Sequence, residues 1–209
     1  MAEKAFDYKK EYKDLYAPGQ KPVAIEVPPM DFIMVDGQGA PGGREYVQAV
    51  EVLYALSYAI KMSKMSGRQP EGYFEYVVPP LEGLWQVDAR DMGDRERWRW
   101  TSLIRQPDFV DGGVFERALQ ETGRKKPELD LSMARFGRLD EGLCVQIMHV
   151  GPYNDEHISL AKVYEFMDAH KLAADLGPER RHHEIYLGDP RKTAPEKLRT
   201  VLRVPAKRI

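Results

Sequence analysis

The residues best suited to chemistry lie near the end of the chain, in His182-His183-Glu184-Ile185-Tyr186-Leu187, ahead of a turn containing Asp189-Pro190. The run reads as a strand, and on a strand alternate side chains share a face. His182, Glu184 and Tyr186 then point one way, and His183, Ile185 and Leu187 the other. A carboxylate with a phenol two residues along the same face suits the floor of a pocket. In an apolar, aromatic-lined site desolvation raises a carboxyl's pKa, and the group can then act as general base or acid. The plainer alternative is an edge strand whose Glu184 simply faces water, where most glutamates are found.

Other residues could serve the same chemistry. Trp85 and Trp100 offer flat surfaces to a polycyclic ligand, and a buried carboxylate attracts cationic aromatic compounds. Tyr153, which follows Gly151-Pro152, and Tyr186 could donate to an oxygen that gathers charge. Each has a structural alternative: the tryptophans as core packers, Tyr153 as a loop anchor, Glu82 as the cap of a turn. His149, His182 and His183 raise the question of a metal, but adjacent strand residues face opposite ways and chelate poorly together, so no metal site is expected. Cys144, the single cysteine, sits between Leu143 and Val145 and reads as a small buried hydrophobe. The glycines at 37, 39, 42 and 43 resemble a phosphate cradle, but their spacing fits neither the P-loop nor the dinucleotide fingerprint, which leaves a tight turn.

The elements that must position these residues follow from the pattern. At 209 residues, with 43% hydrophobic residues, the chain is long enough to bury a core. The formal net charge is −2 with both signs interspersed, which speaks against direct nucleic-acid binding or a membrane surface. One cysteine excludes an internal disulfide, and neither a signal peptide nor a membrane-spanning run is visible, so a cytoplasmic protein without a cofactor is expected. A leader over residues 1–20, with a short amphipathic stretch at 4–16, is too short for a helix-turn-helix. Strands are expected at Val23–Val27, Phe32–Val35, Tyr73–Val78 and Trp98–Ile104, and a helix from Arg44 to Ser66 whose apolar residues recur near the helical period. The charged run Asp88–Arg97 reads as a solvated tip or loop. A second helix covers Val114–Thr122, Leu129–Phe136 and Leu143–Val150 read as a hairpin, and a third helix runs from Glu156 to His170 behind an Asn154 or Asp155 cap.

The two halves repeat. Phe32-Ile-Met-Val-Asp-Gly-Gln-Gly-Ala-Pro resembles Val145-Gln-Ile-Met-His-Val-Gly-Pro-Tyr, and Trp98-Arg-Trp-Thr-Ser-Leu-Ile-Arg-Gln-Pro aligns with Leu198-Arg-Thr-Val-Leu-Arg-Val-Pro. Each half reads as β-α-β-β, which gives a single α+β domain over 21–209: repeat one at about 21–107, an inserted helix at about 110–126 and repeat two at about 129–209. Two such units would bury one sheet face under two helices and leave the other concave, a favourable place for a ligand.

With Pro79-Pro80-Leu81-Glu82-Gly83-Leu84-Trp85, His149-Val150-Gly151-Pro152-Tyr153, Glu184-Ile185-Tyr186, Asp189-Pro190 and Pro195-Glu196-Lys197-Leu198 in this order, residues 20–209 resemble the GyrI-like small-molecule-binding family, related in fold to the SOUL haem-binding proteins. The resemblance implies a duplicated α+β fold with an aromatic-lined ligand cleft that holds a glutamate at the position of Glu184. Together with the chemistry of the side chains, this makes Glu184, Tyr153 and Trp85 candidate catalytic residues, and Trp85, Trp100, Tyr153, Glu184, Tyr186 and Glu82 candidate ligand-binding residues. Family members include effector domains of multidrug-responsive activators, gyrase inhibitors and standalone hydrolases of cyclopropane-bearing alkylators. The expectation is a standalone protein that binds hydrophobic, planar or cationic small molecules and hydrolyses cyclopropane-type electrophiles. The alternatives are a non-catalytic sequestering or effector module and a gyrase-inhibitor-like partner binder; the near-neutral charge gives the latter no support. A haem role would rest on fold alone.

Overall fold

The computed structural model describes residues 4–86 and 93–209. Positions 88–92 of the expected charged tip, and the first three residues of the leader, lie outside the described residues. In chain order the elements are helices α1 (Tyr8–Glu11) and α2 (Lys13–Tyr16), strands β1 (Val23–Val27) and β2 (Met30–Gln38), helix α3 (Arg44–Lys61), strands β3 (Leu81–Gln86) and β4 (Arg99–Arg105), helix α4 (Gly112–Lys125), strands β5 (Ala134–Leu139) and β6 (Gly142–Val150), helix α5 (Glu156–Ala169), and strands β7 (Leu172–Ala174), β8 (His182–Tyr186) and β9 (Arg199–Arg208). The fold is α+β and its named strand pairs are antiparallel.

The chain forms two compact units that exchange segments along the sequence. The first comprises residues 1–11, 30–79 and 87–139, and the second 12–29, 80–86 and 140–209. In the first, β2 runs between β4 and β5. Ala49, Val52, Leu53, Leu56 and Ile60 recur at helical spacing, and α3 buries this stripe against β2 and β4. Helix α4 packs on α3 and buries Val114, Phe115 and Ala118, the Phe115 ring stacking on Phe136 of β5, and its start is capped by Asp111, which accepts from the Val114 N–H at 2.8 Å.

In the second unit the strand order is β1-β6-β9-β8-β3, and β7 joins the far end of β9. Val163 and Met167 of α5 pack on Val145, Ile147, Leu202 and Val204. These are alternate residues of β6 and β9, so α5 covers one face of that sheet.

Three expectations are corrected. Tyr73–Val78 is not a strand: only Tyr76 pairs there, in a single parallel bridge to Phe6. Its aromatic residues instead cluster, Phe74 and Tyr76 packing edge-on with each other and on Phe109. Pro79 and Pro80, which lack N–H donors, follow, and the ladder begins at Leu81. The repeat partner of β8 is therefore β3. Residues 129–150 do not form a hairpin, because β5 pairs along Met30–Val35 of β2 whereas β6 is flanked by β1 and β9. The first helix stops at Lys61, and Ser63–Ser66 is a separate 3-10 turn.

Candidate functional site

Strand β8 carries two different chemistries on its two faces. Its register with β3 sets Glu184 opposite Gly83 and His182 opposite Trp85, and its register with β9 sets Glu184 opposite Leu202 and Tyr186 opposite Thr200. Residues paired across antiparallel strands project to the same side, so Trp85, His182, Glu184, Tyr186 and Thr200 share a face. The Trp85 indole N–H donates to the Tyr186 hydroxyl at 2.9 Å, and that hydroxyl donates to Glu184 Oε2 at 2.8 Å. His182 Nε2 lies 3.2 Å from Glu184 Oε1. This chain fixes the direction of the Tyr186 proton and holds the Glu184 carboxyl in one orientation. Glycine at 83 makes it possible: a Cβ there would come within 2.9 Å of Trp85 Nε1 and 3.0 Å of the Tyr186 oxygen.

The start of α5 closes on the same face. His149 of β6 stands opposite Thr200, and its ring bonds at both nitrogens, Nδ1 to Ser159 Oγ and Nε2 to the Pro152 carbonyl, each at 3.0 Å. These contacts pin the turn at 150–155 and the first turn of α5. Tyr153 thereby meets Tyr186 edge to face, with ring centroids 5.9 Å apart. Glu156, the first residue of α5, sits beside Thr200 and in the field of Glu184. Burial, and then the Glu184 charge, push its carboxyl well above the usual carboxylate range, against a smaller opposing effect of the Thr200 hydroxyl. Glu156 Oε1 and Thr200 Oγ1 are both buried, and the Thr200 hydroxyl is the partner of the Glu156 carboxyl. Burial, followed by the charges of Glu156 and Glu184, pushes the Tyr153 phenol up to about 12, which keeps it a proton-bearing donor at neutral pH.

The opposite face of β8 is closed. His183, 0% exposed, lies 2.9 Å from Glu82 Oε2 and 2.9 Å from Glu141 Oε1, and Glu141 Oε2 pairs with Arg203 Nη1 at 2.8 Å. Arg203 also donates to Gln146 Oε1 and to the Leu15 carbonyl, and Gln146 donates to the Asp14 carbonyl, so the α2 segment seals the cluster. Burial disfavours the charged imidazole, but the Glu141 charge and then Glu82 outweigh it and raise His183 to about 9. Burial likewise opposes ionisation of Glu141, yet His183 and Arg203 hold it down to about 2. Among the described residues no group of three or more His, Cys, Asp or Glu is arranged to hold a metal ion.

Of the residues singled out in the sequence, Trp85, Tyr153, Glu184 and Tyr186 come together on the first face. Glu82 is 1% exposed and belongs to the closed face, where Tyr16 also donates to it at 3.4 Å. Trp100 lies in the other unit, 1% exposed, edge-on to Tyr46 and so close over Gly37 that a Cβ there would fall 2.2 Å from its ring. That approach also accounts for one glycine of the Gly-rich loop. Cys144 is buried, and desolvation pushes its thiol up to about 12. Glu156 and Thr200 carry no site signal in the sequence, and His149, weighed there only as a metal ligand, instead anchors the turn through Ser159 and Pro152. An acidic residue in a first helical turn is common for dipole reasons alone, and this masks Glu156 in the sequence.

The chain matches the GyrI-like small molecule binding domain family over residues 20–207 and belongs to that family. A crystal structure of a hydrolase from Listeria innocua is similar at 50% identity and a TM-score of 0.90, over 97% of this chain and 100% of that one. An uncharacterized conserved protein from Listeria innocua is 51% identical with a TM-score of 0.93, at the same coverage. The EcmrR C-terminal domain, at 9% identity and a TM-score of 0.54 over 90% of this chain and 98% of its own, shares the fold alone. No curated protein matches the chain.

Proposed function

We propose that this protein binds hydrophobic, planar or cationic small molecules against the Trp85–Tyr186–Glu184 face and hydrolyses strained, cyclopropane-type electrophiles there, as a detoxifying activity. The observation that carries this reading is the hydrogen-bond chain from the Trp85 indole through Tyr186 to Glu184, which orients a carboxylate beside aromatic rings. The description of a Listeria relative at 50% identity as a hydrolase supports it. Glu184 takes a proton from water as the water oxygen bonds to a carbon of the strained ring. The ring carbon–carbon bond breaks, and its electron pair moves to the conjugated acceptor oxygen of the ligand. The Tyr186 proton is already committed to Glu184, so Tyr153 is the phenol placed to donate a hydrogen bond to that oxygen. Trp85 contributes a flat, mostly buried surface for the ligand ring and holds Tyr186 in place.

The test follows a cyclopropane-bearing alkylator by liquid chromatography and mass spectrometry, with tryptophan-fluorescence binding of the same compound alongside. The expected result is turnover by wild type that Glu184→Gln loses while binding persists. Binding without turnover by either protein would leave a sequestering module in place of an enzyme.

A further inference from the structure

The Glu184 side chain has a neighbour on each of four sides, and each does something different. Across the ladder to β3 stands Gly83, and the Trp85 indole lies over it, with Nε1 2.9 Å and Cε2 3.5 Å from the place a Cβ would take. Across the ladder to β9 stands Leu202, which is 0% exposed and packs in the apolar core with Val163 of α5. Along β8 the neighbours on the same face are His182 and Tyr186, one on each carboxyl oxygen. Side-chain exposure is 14% for Glu184 and 19% for His182. With its flanks filled, the carboxyl meets water or a ligand from above the sheet.

The Tyr186 proton is committed, because Trp85 donates to the Tyr186 oxygen and the hydroxyl in turn donates to Glu184 Oε2. The other oxygen, Oε1, faces His182 Nε2 at 3.2 Å. An ionised carboxylate only accepts hydrogen bonds, so Nε2 is the ring nitrogen that carries a proton here. His182 stands opposite Trp85 in the ladder, but the indole runs over Gly83 to the Tyr186 hydroxyl. The imidazole and the indole therefore reach the Glu184 neighbourhood from different sides.

We propose that His182 is a positioning residue for the hydrolysis: its Nε2–H and the Tyr186 O–H form a two-donor clamp that fixes the plane of the Glu184 carboxylate. This rests on the hydrolytic reading above and deepens it. The last torsion of a glutamate side chain is broad, so a carboxylate held at one oxygen still swings. A second donor on the other oxygen removes that freedom, and an ionised acceptor strengthens both contacts. Each oxygen keeps a further lone pair for the proton of the attacking water. A base held in one orientation has its ordering cost met before the ligand arrives. His182 does not itself take the water proton through Nε2, since that nitrogen already carries one.

Nitrogen-15 NMR of histidine-labelled, ligand-free protein tests the clamp without any turnover. The expected result is a His182 Nε2–H signal that shifts in Glu184→Gln, whose neutral amide is a weaker acceptor. Kinetics with a cyclopropane-bearing alkylator then test the role. His182→Phe keeps a ring and removes the donor, and it is expected to lower kcat on the order of 10-fold with KM nearly unchanged. His182→Gln restores a donor N–H and is expected to recover most of that loss, which a residue that only packs would not do. An Nδ1–H tautomer at His182, or equal kcat in the Phe and Gln variants, would overturn the clamp and leave the hydrolytic reading standing. A wild type that turns over no cyclopropane-bearing probe, with the Nε2–H signal in place, would overturn the hydrolytic reading and the role of His182 in it.

Discussion

The two faces of β8, one residue apart, contrast directly. On one, His183 is fully buried between two carboxyl groups, and the cluster it joins is closed by Arg203, Gln146 and the backbone of the α2 segment. On the other, Glu184 is held by a phenol and an imidazole, with a second carboxyl group, Glu156, in its field. Both faces concentrate ionisable groups. The first brings basic and acidic groups together in equal number, with His183 2.9 Å from each of two carboxyl groups and Arg203 2.8 Å from one of them. The second sets the Glu156 carboxyl in the field of Glu184, and burial together with that like charge holds its proton affinity high.

The sharpest way to break the contrast is to take one member from the closed cluster. Glu141→Gln leaves two buried basic groups facing the single carboxyl of Glu82 and is expected to destabilise the protein by about 3–5 kcal/mol, measured by urea unfolding at neutral pH. A cost below about 1 kcal/mol would make the cluster no more than a surface ion pair.

A smaller effect is expected from pH. His183 is raised from 6.5 to about 9 on folding, so its contribution is complete below about pH 6.5 and lost as pH rises through about 9. Glu141 is depressed from 4.5 to about 2, so its contribution holds above about pH 4.5 and is lost as pH falls through about 2. Melting temperature should therefore be highest between about pH 5 and 6.5, and the alkaline decline should shrink in His183→Gln. A decline of equal size in that variant would place the sensitive group elsewhere.

The smallest effect belongs to the open face. Trp85→Phe keeps most of the ring and removes the N–H that Tyr186 accepts, so it should cost about 1 kcal/mol in stability. Its larger consequence is for turnover, because the Tyr186 proton is no longer directed to Glu184. Unchanged turnover would mean that the hydrogen-bond chain does not set the orientation of the carboxyl group.

Much of this was legible in the sequence, for reasons that differ by residue. Alternation along 182–187 separates Glu184 and Tyr186 from His183 without reference to a third dimension, and the helical stripes of α3 and α5 follow from spacing alone. The pairing of strands does not. Tyr73–Val78 has the composition of a strand, but its aromatic side chains found one another, and two prolines moved the ladder to Leu81. Residues 134–150 look like a hairpin because a short turn joins them, yet each strand pairs elsewhere. The closed cluster was hidden because Glu82, Glu141, His183 and Arg203 stand far apart in the chain and meet only through register and the return of the α2 segment. Glu156 was hidden by its ordinary place in a helix, and it comes beside Thr200 because His149 pins the first turn of α5.

The account stands or falls on Glu184 as the group that activates water. Turnover of a cyclopropane-bearing electrophile in oxygen-18 water, by wild type and Glu184→Gln at equal ligand occupancy, tests this most directly. The expected result is rapid heavy-oxygen incorporation into the ring-opened product by wild type, and no incorporation above the uncatalysed rate by a variant that still binds. Equal incorporation by the two proteins would contradict the account.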